Sequence, residues 1–280
     1  MRLPAGLDLE ALLFLERHET RVHALPGREI RELGDALVLF DPLDRDPFWN
    51  RAAAIRWPDD PAAFDRRLAE TIGLFAILDR TPHIWPRPAL NQPDDLVDRL
   101  LAKGWRDAGG GLVMVLTDPD PVREAAAAAS ALPGGTTIVS LGELASEELA
   151  AAADEVAAVL AESFDVEPGR RAAIALETRG LPAHPGVEVW LIRVDGEPAA
   201  VAKCTTFDGA SYLSSIGTRV PFRGRGLGRL ATATASAAGL RAGSRWIYLG
   251  VFAENVRAQR VYASLGFEQV GGEAPDLFLR

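Results

Sequence analysis

The stretch Val220-Pro221-Phe222-Arg223-Gly224-Arg225-Gly226-Leu227-Gly228-Arg229-Leu230 decides how the rest of this chain is read. A β-like run, Ser211 to Val220, leads into it, and a run of small, helix-compatible residues, Leu227 to Ala242, leads out. Between them lie three glycines and three arginines with no carboxylate. Glycine admits positive φ and close approach of a ligand to the backbone. The first turn of the following helix presents unpaired N–H donors and a partial positive charge. The guanidinium groups add planar, permanently charged donors. Such a composition suits a phosphorylated ligand, although an ordinary glycine-rich strand-to-helix turn has the same residues.

Two better-known phosphate loops do not fit. Gly228-Arg229-Leu230 lacks the Gly-Lys-Ser/Thr ending of a Walker A loop. In Gly224-x-Gly226-x-Gly228 the third glycine comes one residue too soon for a dinucleotide fingerprint. What remains is Arg223-x-x-Gly226-x-Gly228, and its meaning depends on the residues around it.

The chain has 280 residues, enough for two ordinary domains or one large one. Hydrophobic residues make up 48% and charged residues 25%, with a net charge of −9. The acidic balance argues against nucleic acid and anionic membranes as partners. No apolar run has the length of a membrane span, and Met1 to Asp8 has no apolar stretch like a signal peptide, so a cytoplasmic protein is expected. The one cysteine, Cys204, lies in a strand-like run and reads as a buried thiol. His18, His23, His83 and His184 are scattered without metal-ligand spacing, so no metal is expected.

In the first half, Leu7 to Arg17 reads as a helix. Arg28–Leu33 and Ala36–Phe40 read as a hairpin turning at Gly34-Asp35, and Phe48 to Trp57 as a third strand. Asp60 and Pro61 open a helix to about Leu78. His83 to Pro88 is extended, a helix follows Asp94-Asp95 to Lys103-Gly104, and Gly111–Leu116 is a strand. The Pro-rich and Gly-rich brackets Asp118–Pro121 and Leu132–Gly135 mark a linker. In the second half, Thr136–Leu141 is a strand, followed by helices over roughly 144–164 and 168–179. Strands 187–194, 199–207 and 211–220 turn at Asp195-Gly196 and Asp208-Gly209. After the Arg/Gly loop and its helix come strand 246–252, a helix from about Asn255 to Leu265, and strands 267–270 and 277–279 that finish the sheet.

This order, with Arg223-x-x-Gly226-x-Gly228 at a helix head, resembles the GNAT N-acetyltransferases. The tail strengthens the likeness: Leu249-x-Val251-x-x-Glu254-Asn255-x-x-Ala258-x-x-x-Tyr262-x-x-x-Gly266-Phe267 is similar to that family's strand-and-helix pattern. The resemblance covers about residues 136–280. It implies an α/β (α+β) fold, a mixed and mostly antiparallel sheet flanked by helices. It also implies acetyl-CoA as co-substrate and a small-molecule or peptide amine as acceptor. Backbone N–H groups over Arg223, Gly224, Arg225, Gly226, Leu227, Gly228 and Arg229 would cradle the pyrophosphate. Ile216, Thr218 and Val220 would bond the pantetheine amides in β-fashion, with Asn255 and Ala258 beside the arm. Tyr262 would be the general acid for the departing thiolate. Read on their own, Asn255 is a helix N-cap and Tyr262 an aromatic core residue. The chain departs from the family's pattern just before the loop, where Thr218 and Val220 stand and Pro221 is shifted by one. The strand before the loop has no carboxylate, so no general base is assigned; Glu254, Asp208 and Glu188 are the candidates.

The halves also resemble one another. Ile84-Trp85 and Asn91 are similar to Ile247-Tyr248 and Asn255, and Leu100 to Trp105 is similar to Tyr262 to Phe267. Tandem GNAT proteins have this layout. The expected domains are a degenerate half at 1–120, a linker at 121–135 and a catalytic half at 136–280. Leu100 stands in the tyrosine's place and no R-x-x-G-x-G precedes the strand at His83, so the first half is expected to be a scaffold. An unrelated α+β cap is the alternative. For the whole chain, the alternatives to N-acetyl transfer are a non-catalytic acyl-CoA sensor and an O-acyl or longer-acyl transferase.

Overall fold

The computed structural model describes residues 7–128 and 135–279. Residues 1–6, used in reading the N-terminus, and Leu132, Pro133 and Gly134 of the second bracket lie outside the described residues. In chain order the elements are α1 (Leu9–His23), β1 (Glu29–Glu32), β2 (Leu37–Phe40), β3 (Arg51–Ala53), α2 (Pro61–Ile77), β4 (His83–Ile84), α3 (Leu96–Ala102), β5 (Arg106–Asp107), β6 (Gly111–Leu116) and α4 (Asp120–Ala128). They continue with β7 (Thr136–Ser140), α5 (Ser146–Ser163), α6 (Arg171–Gly180), β8 (Val187–Val194), β9 (Glu197–Phe207), β10 (Ala210–Thr218), α7 (Leu227–Arg241), β11 (Trp246–Phe252), α8 (Val256–Ala263), β12 (Phe267–Ala274) and β13 (Leu277–Phe278).

Local chemistry accounts for most of these boundaries. Asp8 caps α1 by accepting from the Ala11 N–H at 2.8 Å. Asp60 caps α2 through the Ala63 N–H at 2.9 Å, with Pro61 at the first helical position. In the β8–β9 and β9–β10 hairpins, Asp195-Gly196 and Asp208-Gly209 all take positive φ, from 48° to 83°. That is the turn whose twist matches the flanking strands, so two residues pin each register.

Two sheets result, with strand orders β1-β2-β3-β4-β13-β5 and β12-β6-β11-β10-β9-β8-β7. The chain divides into two compact units. One comprises residues 1–113, 251–256 and 269–280, and the other 114–250 and 257–268. The six-stranded sheet of the first unit is backed by a core of Val38, Ile55, Trp57, Phe64, Phe75, Ile84, Leu96, Leu100 and Leu277. In the second unit α5 and α7 pack on opposite faces of β9 and β10. A Cβ at Gly217 would meet Ser163 of α5, whereas Gly239 of α7 lies against Ser211.

The duplication is visible inside each unit. In the first, β3 and β4 are parallel and paired at Ala52↔Ile84; two residues on, Ala54 takes φ 53°, and α2 follows. In the second, β10 and β11 are parallel and paired up to Leu213↔Leu249; two residues on, Ser215 takes φ 53°, and α7 follows.

Three segments differ from the sequence reading. Strand 48–57 shrinks to Arg51–Ala53, because Asp46-Pro47 starts a 3-10 turn that Asn50 locks by donating to the Asp44 and Asp46 carbonyls, both at 2.8 Å. The strand at 277–279 does not finish the C-terminal sheet. It pairs antiparallel with both β4 and β5 in the other one, where Leu277 is wholly buried. Within the segment read as a linker, Asp120–Ala128 is helical; Val122 and Ala125 are buried, and the helix packs against α7.

Candidate functional site

Strand β10 sets the site. Its first four residues, Ala210 to Leu213, pair in parallel with Trp246 to Leu249, and there the pairing with β11 ends. On its other side β10 stays bonded to β9 as far as Thr218↔Ala200, with a bulge between Ser214 and Gly217. Ser215, in the bulge, holds a left-handed conformation, and the extra residue shifts which side chains face α7. The C-terminal half of β10 therefore has a bonded edge toward β9 and an unpaired edge toward β11. An extended chain with amide groups fits such an edge.

Beyond Thr218 the chain enters the Arg/Gly loop through a 3-10 turn, Val220–Phe222. Pro221 sits where its missing N–H costs nothing. Phe222 is buried, and its N–H donates to the Arg219 carbonyl at 3.0 Å. Gly224 and Gly226 follow with φ of 81° and 80°, values that suit glycine. Gly226 is the N-cap of α7, whose first backbone bond runs from the Leu230 N–H to the Gly226 carbonyl at 3.0 Å. The N–H groups of Leu227, Gly228 and Arg229 are first-turn donors with no acceptor inside the helix. Among the described residues no backbone carbonyl outside the helix accepts from Gly224 to Arg229 either. A row of donors on a helix dipole is an anion site. Gly228 has a packing reason as well, since a Cβ there would lie 3.3 Å from Thr218 Oγ1.

Two of the expected cofactor-binding residues, Arg223 of the cradle and Val220 of the pantetheine strand, have other work. The Arg223 N–H donates to the Val220 carbonyl at 3.2 Å, and its Nε donates to the Thr218 carbonyl at 3.0 Å. Arg223 thus closes the turn rather than contributing its amide to a ligand. Val220 is not in the strand, and its N–H donates to Glu162 Oε1 at 2.7 Å. Ile216 and Thr218 are half-buried on β10, Arg225 stacks over the Phe222 ring at 5.3 Å, and Arg229 is half-buried in the first turn of α7.

Tyr262 and Ala258 lie on α8, four residues apart and so on one face. Asn255 is exposed just before that helix, its N–H donating to the Phe252 carbonyl at 3.0 Å. By chain contacts Asn255 belongs to the first unit, and Ala258 and Tyr262 to the second. Tyr262 is buried with its ring tilted against Phe267, centroids 6.3 Å apart. Burial alone pushes its phenol up to about 12. The end of α8 is held by Gly266, at φ 87°, where a Cβ would lie 1.9 Å from the Asp118 carbonyl oxygen.

The three candidate bases fare differently. Asp208 is in the turn before β10, at the far end of a nine-residue strand from the loop, about 26 Å at 3.3 Å per residue. Glu188, half-exposed on β8, faces Arg241 at 3.6 Å. Glu254 is exposed in the turn after β11. Cys204 is buried, and burial raises its thiol further, consistent with a structural role. Among the described residues no group of three or more His, Cys, Asp or Glu could hold a metal, and no helix is long and apolar enough to cross a membrane. The residue that sequence reading missed is Glu162, far upstream on α5, with no local pattern to mark it.

Comparison with known proteins agrees with this geometry. Residues 153–267 match the model of the Acetyltransferase (GNAT) family, a span that takes in the later part of α5, β10, the Arg/Gly loop and Tyr262. No curated protein matches the sequence. Among solved structures, the chain is similar to a GCN5-related N-acetyltransferase from Kribbella flavida, with 24% identity, 98% of this chain and 96% of that one covered, and a TM-score of 0.69. It is similar to a tandem GNAT protein from the clavulanic acid biosynthesis pathway, with 18% identity, 99% and 96% coverage and a TM-score of 0.63. It also resembles a GCN5-related N-acetyltransferase from Sphaerobacter thermophilus, with 16% identity, 99% and 93% coverage and a TM-score of 0.57. At such identities these likenesses establish fold, and they extend it over both halves. Residues 153–267 thus form an Acetyltransferase (GNAT) family domain, and the fold likenesses span both halves of the chain.

Proposed function

We propose that the protein transfers an acetyl group from acetyl-CoA to an amine, in a ternary complex, at the second unit. The observation that carries this reading is the parting of β10 from β11 beside a loop of unpaired N–H donors. Pyrophosphate would sit on the amides of Gly224 to Arg229, and the pantetheine arm would lie along Ile216 and Thr218. Val220 and the Arg223 amide are left out of that set because their hydrogen bonds are internal. Ala258 would flank the arm. The amine's lone pair attacks the thioester carbonyl carbon, the C–N bond forms, the C–S bond breaks on collapse of the tetrahedral intermediate, and the proton shed by nitrogen ends on the departing sulfur, giving the amide and the free coenzyme A thiol.

Tyr262 would donate to the departing sulfur. With its proton held to about pH 12, and a thiol near 8.5, full transfer runs uphill, so a strong hydrogen bond is its first contribution. Orientation supplies most of the rest. The acceptor would be a small-molecule or peptide amine arriving neutral, since β10 carries no carboxylate to deprotonate it. The first half would serve as a scaffold, with Leu100 wholly buried in its core where the second half has Tyr262. Cytoplasmic acetyl-CoA is the natural supply.

The missing carboxylate favours one second reading, a protein that binds acyl-CoA without turnover. Acetyl-CoA should raise the melting temperature of the parent protein, and Gly226→Val should abolish the rise, because valine cannot hold φ 80° at the head of α7. No rise in the parent would defeat both readings. A rise without thiol release across a panel of amines would favour the sensor.

A further inference from the structure

We propose that Glu162, at the end of α5, is a positioning residue that holds the phosphate loop in its binding conformation. The proposal rests on the acetyl-CoA reading and adds a residue to it.

Glu162 Oε1 accepts from the Val220 N–H and Oε2 from Arg219 Nε, both at 2.7 Å. Arg219 in turn donates through its NH1 nitrogen to the Pro198 carbonyl at 3.1 Å, and its guanidinium lies 5.9 Å from the Phe222 ring. The Phe222 and Arg223 amides close the 3-10 turn, and Arg223 Nε returns to Thr218. One carboxylate thus ties the last turn of α5, the start of β9 and the end of β10 to the entry of the loop. From Gly224 to Arg229 no comparable tie exists among the described backbone bonds. The loop is fixed at its entry and at its helix, with two left-handed glycines between. A carboxylate this close to an anion site would oppose the ligand if bare. Here both oxygens are occupied, and Arg219 first of all holds the acid below the usual carboxylate range, so it stays ionised and paired. A loop that samples other conformations binds more weakly in proportion to its competent fraction.

The test is calorimetric titration of acetyl-CoA into the full chain. Glu162→Ala should raise Kd about tenfold, as expected for losing a charged hydrogen bond. Glu162→Gln keeps an oxygen for Val220 and should lie within about threefold of the parent. Glu155→Ala is the control: it removes an ion pair of 2.7 Å with Arg193 on the same helix and should leave Kd unchanged. Amide hydrogen exchange at Phe222 and Arg223, whose N–H groups are bonded in the parent, should quicken in Glu162→Ala and not in Glu155→Ala. If Glu162→Ala does not fold, Arg219→Gln cuts the same contact from the other side and should weaken binding similarly. Equal Kd in the parent and Glu162→Ala, or equal losses in Glu162→Ala and Glu155→Ala, would overturn the proposal while leaving the acetyl-CoA reading intact. Absence of binding by the parent would overturn both.

Discussion

Tyr262 is a core residue that the proposed reaction would also use. Its ring fills space beside Phe267, and the same burial holds its proton to about pH 12. Tyr262→Phe should leave acetyl-CoA affinity near the parent's and cut the turnover number by about ten- to a hundredfold, the worth of a hydrogen bond to a developing charge. Unchanged turnover would return the residue to the core. The pH dependence has a definite sign. The unfolded tyrosine loses its proton near 10, whereas the folded one keeps it to about 12. The folded state then binds more protons, so Tyr262 withdraws stability as pH rises from 10 to 12 and has no effect below. Equilibrium unfolding of the parent and Tyr262→Phe across that range checks it: the parent should lose stability relative to the variant only at the alkaline end. Gly266 makes the neighbouring case. Gly266→Ala brings a Cβ to within 1.9 Å of the Asp118 carbonyl at φ 87° and should cost more than about 1–3 kcal/mol, the range for backbone strain alone. Thermal melts should show the fall, and a neutral effect would mean that the α8 end relaxes freely.

At the scale of elements, glycines and Asp-Gly pairs carried most of the readable signal. Asp195-Gly196 and Asp208-Gly209 announce hairpins because few residues accept positive φ twice in a row, and β8, β9 and β10 turn there. The Arg/Gly loop announces a donor-rich helix head for the same backbone reason. Two features of this region had no comparable signal. Nothing in Ser214-Ser215-Ile216 distinguishes a bulge from a regular strand, yet the bulge decides which side chains face α7. Glu162 is one of several glutamates on a helix, and only packing brings it to Val220, 58 residues later. The late start of strand 48–57 comes from side-chain bonds of Asn50 that no periodicity records. Strand β13 is a short element with a large share in its sheet. Leu277→Ala removes a wholly buried side chain next to Ile84 and should destabilise the protein by about 2–5 kcal/mol, read by denaturant midpoint. A change near zero would show that β13 adds little to the first unit.

On the scale of the whole molecule, each sheet takes a strand from the other half of the sequence. β6, residues 111–116, lies between β11 and β12, and β13, residues 277–278, lies between β4 and β5. A fragment beginning at Thr136 would lack a strand from inside its sheet, leaving two edges unpaired. We expect residues 136–280 alone to be insoluble or to show no acetyl-CoA-dependent rise in melting temperature, and residues 111–280 to recover part of it. A soluble, acetyl-CoA-responsive 136–280 fragment would refute this. Local chemistry was enough to specify the Arg/Gly loop, the strand that leads into it, the tyrosine helix and the capped helices, because each depends on residues within a turn or two of one another. Three matters depended on contacts between residues distant in sequence. They are the unpaired edge of β10, the clamp of Glu162 on the loop entry, and the assignment of β6 and β13 to their sheets. Strand partners and ion pairs are chosen by packing across the fold, and no local pattern encodes which of several chemically equivalent partners will be nearest.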